Sequence, residues 1–159
     1  MPVLRRSPTS SEGNRRQSDG EEMAMYKSNP QADASRTESL MICEFPPLGL
    51  VELFGQAPWS DGHKVSGKYV FTSDRGEIFT VYDWKQTTLY GGADSTAPMP
   101  EEFWRMREPQ YFHIGGTAGS HPRRFINWLQ GLYTLHMARR AAALRQSTSV
   151  PELLQRAIA

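Results

Sequence analysis

The fold is decided by residues 64–84, which read KVSGKYVFTSDRGEIFTVYDW. Residues 64–72 alternate between apolar and polar side chains, and residues 77–84 are rich in β-branched and aromatic residues. Between these two runs, residues 73–76 have the composition of a turn, and Gly76 suits its left-handed position. The pattern predicts an antiparallel hairpin. Because its second strand is apolar on both faces, we expect that strand to be central in a sheet.

Shorter elements are predicted on both sides of the hairpin. Residues 41–45 resemble a short strand, and residues 48–54 give one or two apolar helical turns. Residues 85–110 read mostly as loop, with a short helix within 101–107. Residues 111–114 form the last predicted strand, which a pair of glycines closes.

A long helix is predicted near the C-terminus. Its apolar residues recur at helical spacing: Phe125, Trp128, Leu129, Leu132 and Leu135. We expect it to run from Pro122 to about Arg145, with Ser120 as its cap, and a capping box at Ser149 predicts a further short helix. The elements together predict an α+β fold, in which a three- or four-stranded antiparallel sheet is covered by the long C-terminal helix.

The first forty residues differ in composition from the rest of the chain. They are polar and show no apolar period, so they cannot bury enough surface to offset the entropy of ordering. We therefore predict a disordered tail over residues 1–40 and a single domain over residues 41–159. Met23, Met25 and Tyr26 form the one apolar spot in the tail, and either a docking motif or a stray cluster accounts for it.

Charge is unevenly distributed although the formal net charge is only +1. Residues 41–120 carry six basic and ten acidic residues, whereas residues 121–159 carry six arginines and one glutamate. The sheet region is thus acidic and the helical end is basic. Such asymmetry either attracts an anionic partner or pairs the two halves of the domain with each other.

The cysteine content and the hydropathy bear on the compartment. Cys43 is the single cysteine, so an internal disulfide is excluded and a reducing, intracellular compartment is predicted. Because Cys43 lies in an apolar strand, we expect it to be an inert small hydrophobe. No apolar run reaches the length of a membrane helix, which predicts a soluble protein without a membrane partner.

A ligand site is predicted where the last strand meets the helix. Its residues are His113, Gly115, Gly116, Thr117, Arg123 and Arg124. Backbone amides in a glycine turn, followed by arginines at a helix start, suit a phosphate. The hypothesis is a small pocket for a phosphate-bearing nucleotide or a nucleic-acid end. The alternative is a tight connection without a ligand, because the spacing matches neither the dinucleotide fingerprint nor the phosphate loop.

Exposed aromatic and basic residues suggest an interaction surface. Aromatic residues make up 11% of the chain, more than a small domain is expected to bury, although a compact aromatic core is the alternative. The candidates are Tyr82, Trp84, Trp104, Trp128, Arg139 and Arg140. The leading hypothesis is a non-catalytic binding module for a macromolecule, either a protein or a second copy of the chain. Nucleic acid is an alternative partner, although the aromatic sheet motif of the RNA-recognition fold is absent.

No complete catalytic or metal-binding signature is found. The four histidines lack metal-ligand spacing, so neither a metal nor a cofactor is predicted. Asp83 lies between two aromatic residues, which suits a pKa-shifted acid, an outward-facing charge, or an acceptor of backbone hydrogen bonds. A hydrolase that uses Asp83 or His113 is a third functional hypothesis, but no catalytic residue is assigned.

One resemblance to known proteins involves several of these segments. They are Phe54-Gly55, residues 61–65, Tyr69-Val70-Phe71, residues 80–85 and residues 112–116. Over roughly residues 50–130 the chain is similar to small domains of phages and large DNA viruses. The resemblance implies an accessory binding protein instead of a metabolic enzyme, and it assigns no functional residue.

Overall fold

The computed structural model describes residues 25–158 of the chain, and side chains are described for residues 25–147. The strands in this part are β1 Tyr26–Ser28, β2 Glu38–Phe45, β3 Lys68–Ser73, β4 Ile78–Tyr82 and β5 Gln110–Gly116. The helices are α1 Pro47–Phe54, α2 Thr88–Gly91, α3 Pro100–Phe103 and α4 Pro122–Ile158. The strands form one antiparallel sheet. The α+β fold class is confirmed, with five strands instead of three or four.

The predicted hairpin is the centre of the sheet. Phe71 pairs with Phe79 in the register between β3 and β4. In the turn between them Gly76 has a φ of 78°, and the Ser73 hydroxyl oxygen accepts hydrogen bonds from two backbone amides. The strand order is β1-β3-β4-β5-β2, so β4 is central as predicted.

The N-terminal boundary of the sheet differs from the prediction. Tyr26 pairs with Ser73 and is only 6% exposed, and β2 begins at Glu38. The predicted start near Met41 is therefore wrong, because a three-residue strand is too short to show an alternating pattern. Tyr26 belongs to the core and not to a stray cluster. The predicted disorder of residues 1–24 lies outside the described residues.

One face of the sheet carries the core. Side chains alternate between the two faces of a strand, and Phe71 and Phe79 share the face that α4 covers. The Phe79 and Phe125 rings stack with a centroid distance of 4.7 Å, and Tyr26 meets both rings edge-on. Aromatic pairs of this kind contribute roughly 0.5–1.5 kcal/mol each beyond the burial of their area.

Helix α4 begins at Pro122 as predicted, but its cap and its end differ from the prediction. The Ser120 hydroxyl pairs with the Thr117 hydroxyl, and the His121 amide donates to the Glu77 carboxylate at 3.0 Å. The helix then continues to Ile158 instead of stopping near Arg145 before a second helix. Residues 141–146 are strong helix formers, so no break precedes the predicted cap at Ser149.

The other face of the sheet is only partly covered. Residues 29–37 join β1 at one edge to β2 at the opposite edge, and we call this segment the strap. A Cβ added to Gly115 would point to the same face as its partner Thr80, which is the face opposite α4. The Thr37 hydroxyl oxygen would lie 3.6 Å from that Cβ, so the strap is on this face. Val70 and Thr80 are buried on this face. Farther from the strap, Ile42 on β2 is 54% exposed, so this part of the face is open.

Candidate functional site

The open part of the sheet carries a row of side chains from neighbouring strands. Trp59 bridges to Lys68, Lys68 pairs with Tyr82, Tyr82 pairs with His113, and His113 pairs with Ile42. Residues paired in this way point to the same face of a sheet. We use the name aromatic–lysine face for a set of seven residues: Trp59, Lys64, Lys68, Tyr82, Trp84, Lys85 and His113. The set brings together three predicted site residues, namely Tyr82, Trp84 and His113.

Three rings of this face are in mutual contact. Tyr82 and His113 stack with a centroid distance of 5.4 Å and an interplanar angle of 23°. Trp84 lies 6.3 Å from His113 and 6.4 Å from Tyr82. The His113 Nδ1 atom is 3.1 Å from the Ser39 hydroxyl oxygen, and this hydrogen bond orients the imidazole ring. Trp84 is the exposed member of the three, because 40% of its surface is accessible.

Three lysines lie against aromatic rings of this surface. The Lys68 Nζ atom is 3.7 Å from the Trp59 ring centroid, and the Lys64 and Lys85 Nζ atoms are 5.5 and 5.8 Å from that of Trp84. A cation over a ring face is held by the ring quadrupole, and such contacts contribute about 0.5–1 kcal/mol at exposed sites. Positive charge is therefore fixed beside two exposed indole rings.

A buried carboxylate positions the loop that carries Lys64. Asp83 is 0% exposed and accepts hydrogen bonds from the Ser66 amide, the Gly67 amide and the Ser66 hydroxyl. Burial raises the pKa of the Asp83 carboxyl, although the hydrogen bonds from Gly67 and Ser66 oppose the rise. The Lys85 amide donates to the Lys64 carbonyl at 2.7 Å, and Lys85 has a φ of 58°. Of the three roles proposed for Asp83, the acceptor of backbone hydrogen bonds is confirmed.

Trp104 and Trp128 do not belong to this surface. Trp104 is only 6% exposed, packs edge-on against Tyr69, and donates from Nε1 to the Ser66 hydroxyl. A Cβ on Gly67 would lie 2.3 Å from the Trp104 ring, so the glycine makes room for the indole. Trp128 is partly buried against the core. The prediction of Trp104 as an exposed interaction residue is wrong, since composition cannot tell which aromatic residues a core takes. Trp128 keeps partial exposure on α4, away from the open sheet.

The glycines of the predicted ligand site lie inside a strand and not in a turn. Gly115 pairs with Thr80 on one side and with Ser39 on the other, and Gly116 is also within β5. A Cβ on Gly115 would lie 2.3 Å from the Thr80 hydroxyl oxygen, which explains the glycine by close packing. The Thr117 amide donates to the Ile78 carbonyl. The predicted amide cradle is therefore wrong for this junction.

The helix start next to this junction carries a carboxylate of the chain itself. The Glu77 Oε1 atom accepts from the His121 amide and lies 3.3 Å from the His121 Nδ1 atom. Burial raises the pKa of Glu77, but the hydrogen bonds from His121 and Ser73 outweigh it, and the net shift is downward. Arg123 and Arg124 are exposed on the first turn of α4. The structure thus places an internal anion where the sequence predicted an external one.

The two arginines of the predicted basic helix surface differ in their contacts. Arg140 donates to the Glu52 carboxylate on α1, and His136 lies 3.0 Å from the same carboxylate. Arg139 is exposed. Part of the basic surface is therefore used to attach α4 to α1.

Several residues of the site were missed by the sequence analysis. Trp59 lies in a loop, and Lys85 follows the hairpin. Tyr90 is outside the seven residues but adjoins them, because its ring centroid is 4.3 Å from the Lys85 Nζ atom. The Lys68–Tyr82 pairing follows from the hairpin register, so it was available from the sequence. The Tyr82–His113 pairing requires the register between β4 and β5, which no local pattern contains.

Comparison with known proteins gives no assignment, since neither a protein-family model nor a curated protein matches the chain. The resemblance to phage and viral domains therefore stays a prediction. Within residues 25–158, every helix is too short or too polar to cross a membrane. The same described part holds no cluster of three or more side chains suited to a metal ion.

Proposed function

We propose that the protein is a non-catalytic binding module that engages an anionic macromolecule through the aromatic–lysine face. The observation that carries the proposal is the fixed position of three lysines beside exposed indole rings, with Lys68 3.7 Å from the Trp59 ring centroid. Aromatic rings supply contact area at low entropic cost, and the lysines supply attraction for negative charge. An accessory role in a phage or viral setting, and a reducing intracellular compartment that suits Cys43, are part of this proposal.

The open sheet supports this role better than the two surfaces predicted first. On α4, Arg140 is paired with Glu52, so part of the basic charge is already neutralised. At the predicted phosphate pocket, Gly115 and Gly116 lie within the sheet, and the adjoining helix start is occupied by Glu77. Lys68, Tyr82 and His113 lie on the paired strands β3, β4 and β5, and a preformed surface loses little entropy on binding.

The position of the binding surface can be tested with matched variants. We expect immobilised wild-type protein to capture an anionic macromolecule from an extract of its source cells, and Trp84→Ala together with Lys68→Gln to lose it. Lys27→Gln and Arg139→Gln are the matched controls, because both residues are exposed outside the aromatic–lysine face. Circular dichroism confirms that each variant is folded.

Two outcomes contradict the proposal. Retention by the Trp84 and Lys68 variant with loss in Arg139→Gln moves the surface to α4. Capture of no anionic macromolecule by the wild-type protein removes the proposed role.

A further inference from the structure

We propose that the partner of the aromatic–lysine face is single-stranded nucleic acid, an inference that rests on the proposed function. Bases stack on the exposed indole rings, and the phosphates next to them contact Lys64, Lys68 and Lys85. The ligand is defined by chemistry that DNA and RNA share, namely unpaired bases on a polyanionic backbone.

The stacking surface consists of Trp84 and Trp59, supported by partly buried rings. Trp84 is 40% exposed and contacts Tyr82 and His113, and Trp59 is 45% exposed and bridges to Lys68. Tyr82 and His113 stack on each other next to Trp84, which fixes the surroundings of its indole ring. Base–aromatic stacking tolerates any sequence, because every base has a π-face.

The lysines are positioned for a backbone that follows the stacked bases. Each exposed indole has at least one Nζ atom within 5.5 Å of its ring centroid, so a base on the ring brings its phosphate close to a cation. Neighbouring strands are about 4.8 Å apart, so the row from Trp59 to His113 spans roughly 14 Å, enough for two or three nucleotides. On β2, at the far edge of this face, Glu44 pairs with Tyr111 and places negative charge there. The nucleic acid is therefore expected to remain over β3, β4 and β5.

Stacking distinguishes a single strand from a duplex. The bases of a duplex are already stacked and paired, so their faces cannot reach an indole ring. A protein that binds duplex DNA through phosphates alone needs many cations, whereas this face has three lysines. The surface therefore favours unpaired bases over a double helix.

The test is fluorescence anisotropy with labelled twelve-nucleotide oligo-dT, oligo-U and a duplex of the same length, over a range of salt concentrations. We expect both single strands to bind more tightly than the duplex and to quench tryptophan fluorescence. Trp84→Ala should weaken binding roughly tenfold, which corresponds to the loss of one stacked base. Lys64→Gln, Lys68→Gln and Lys85→Gln should each reduce the slope of log K against log salt by about 0.7. Lys27→Gln and Arg139→Gln should leave the affinity unchanged.

The outcomes separate this inference from the proposed function. Absence of oligonucleotide binding at low salt, preference for the duplex, or unchanged affinity in Trp84→Ala and in the lysine variants overturns the inference. The extract is then treated with nuclease before the capture experiment. If an acidic protein is still captured by the wild type and lost in Trp84→Ala, the proposed binding module is supported and only the proposed ligand is wrong. If neither is bound, both proposals fail. The lysine variants keep the test decisive if Trp84→Ala does not fold, because surface glutamines do not disturb the core.

Discussion

Asp83 is the buried carboxylate that connects the core to the exposed surface. Its oxygens bind the loop at Ser66 and Gly67, and the Ser66 hydroxyl in turn accepts from the Trp104 indole. Asp83 also directly precedes Trp84 in the chain. One side chain thereby holds the loop that carries Lys64 in place beside the Trp84 ring, without itself reaching the surface.

We expect Asp83→Ala to lower the free energy of unfolding by about 1–3 kcal/mol, because one buried donor and two partly buried donors lose their acceptor. Urea denaturation followed by circular dichroism measures the change. Asp94→Ala is the control, since Asp94 is exposed, and it should stay within about 0.5 kcal/mol of the wild type. Equal losses in the two variants would contradict a structural role of Asp83.

Cys43 is predicted to react slowly in the native protein. Burial raises the pKa of its thiol to about 11, and the side chain packs against the core. Because the thiolate is the nucleophile, alkylation by iodoacetamide at pH 8 should be slower on the order of a hundredfold in the folded chain than in urea. Mass spectrometry of timed samples measures the two rates. Similar rates under both conditions would show that the thiol is exposed.

Among the elements, β5 shows how a glycine pair can be misread. Gly115-Gly116 before a helix resembles a phosphate-binding turn, yet both glycines lie within the strand. The small size of Gly115 admits Thr80 from β4, and that of Gly116 admits the Leu40 side chain from β2. The glycines are visible in the sequence, but their neighbours on the adjacent strands are visible only in the structure.

A double-mutant cycle tests this packing. Gly115→Ala should destabilise the protein by about 1–3 kcal/mol, since the new Cβ would lie 2.3 Å from the Thr80 hydroxyl oxygen. Adding Thr80→Ala removes that oxygen, so the double variant should be more stable than the sum of the two single effects predicts, by about 1 kcal/mol. Additive effects in thermal and urea denaturation would contradict the contact. Gly131→Ala is the control: it is on α4 with open space around it, and it should stabilise the protein by about 0.5–1 kcal/mol.

The extent to which the elements were predictable follows from their length. The hairpin and α4 carry repeated patterns over many residues, so their type was predicted correctly. Strand β1 has three residues, and only Tyr26 among them is apolar and buried, so no periodic signal exists. The end of α4 was misplaced because Ser149 and Glu152 satisfy a capping pattern that the continuous helix does not use.

At the scale of the whole molecule, the division into an acidic sheet region and a basic helix has a structural counterpart. Glu77 on the hairpin contacts His121, and Glu52 on α1 contacts His136 and Arg140. Two of the acidic residues are therefore paired with α4, as the internal alternative predicted. The candidate surface depends instead on lysines of the region that is acidic overall, and net charge by segment could not reveal this. Locating the aromatic–lysine face required the pairing of β4 with β5, which are about thirty residues apart in the chain.

These pairings predict how stability depends on pH. Burial raises the pKa values of Glu52 and Glu77, but hydrogen bonds from His136, Arg140 and His121 outweigh burial, so both pKa values are lower than in the unfolded chain. A carboxyl with a lowered pKa stabilises the fold above its unfolded value, about 4.3 for glutamate, and this contribution is lost as pH falls through the folded value. The raised pKa of Asp83 acts in the opposite direction, since protonation there favours the folded state. We expect the free energy of unfolding to fall between about pH 5 and pH 3, because two lowered carboxyls oppose one raised carboxyl. Urea denaturation at pH 7, 5, 4 and 3 measures the profile.

Glu52→Gln and Glu77→Gln should each lower the free energy of unfolding by about 1 kcal/mol at pH 7, and by progressively less toward pH 3. A deficit that stays constant down to pH 3 would show that these carboxylates act through shape and not through charge.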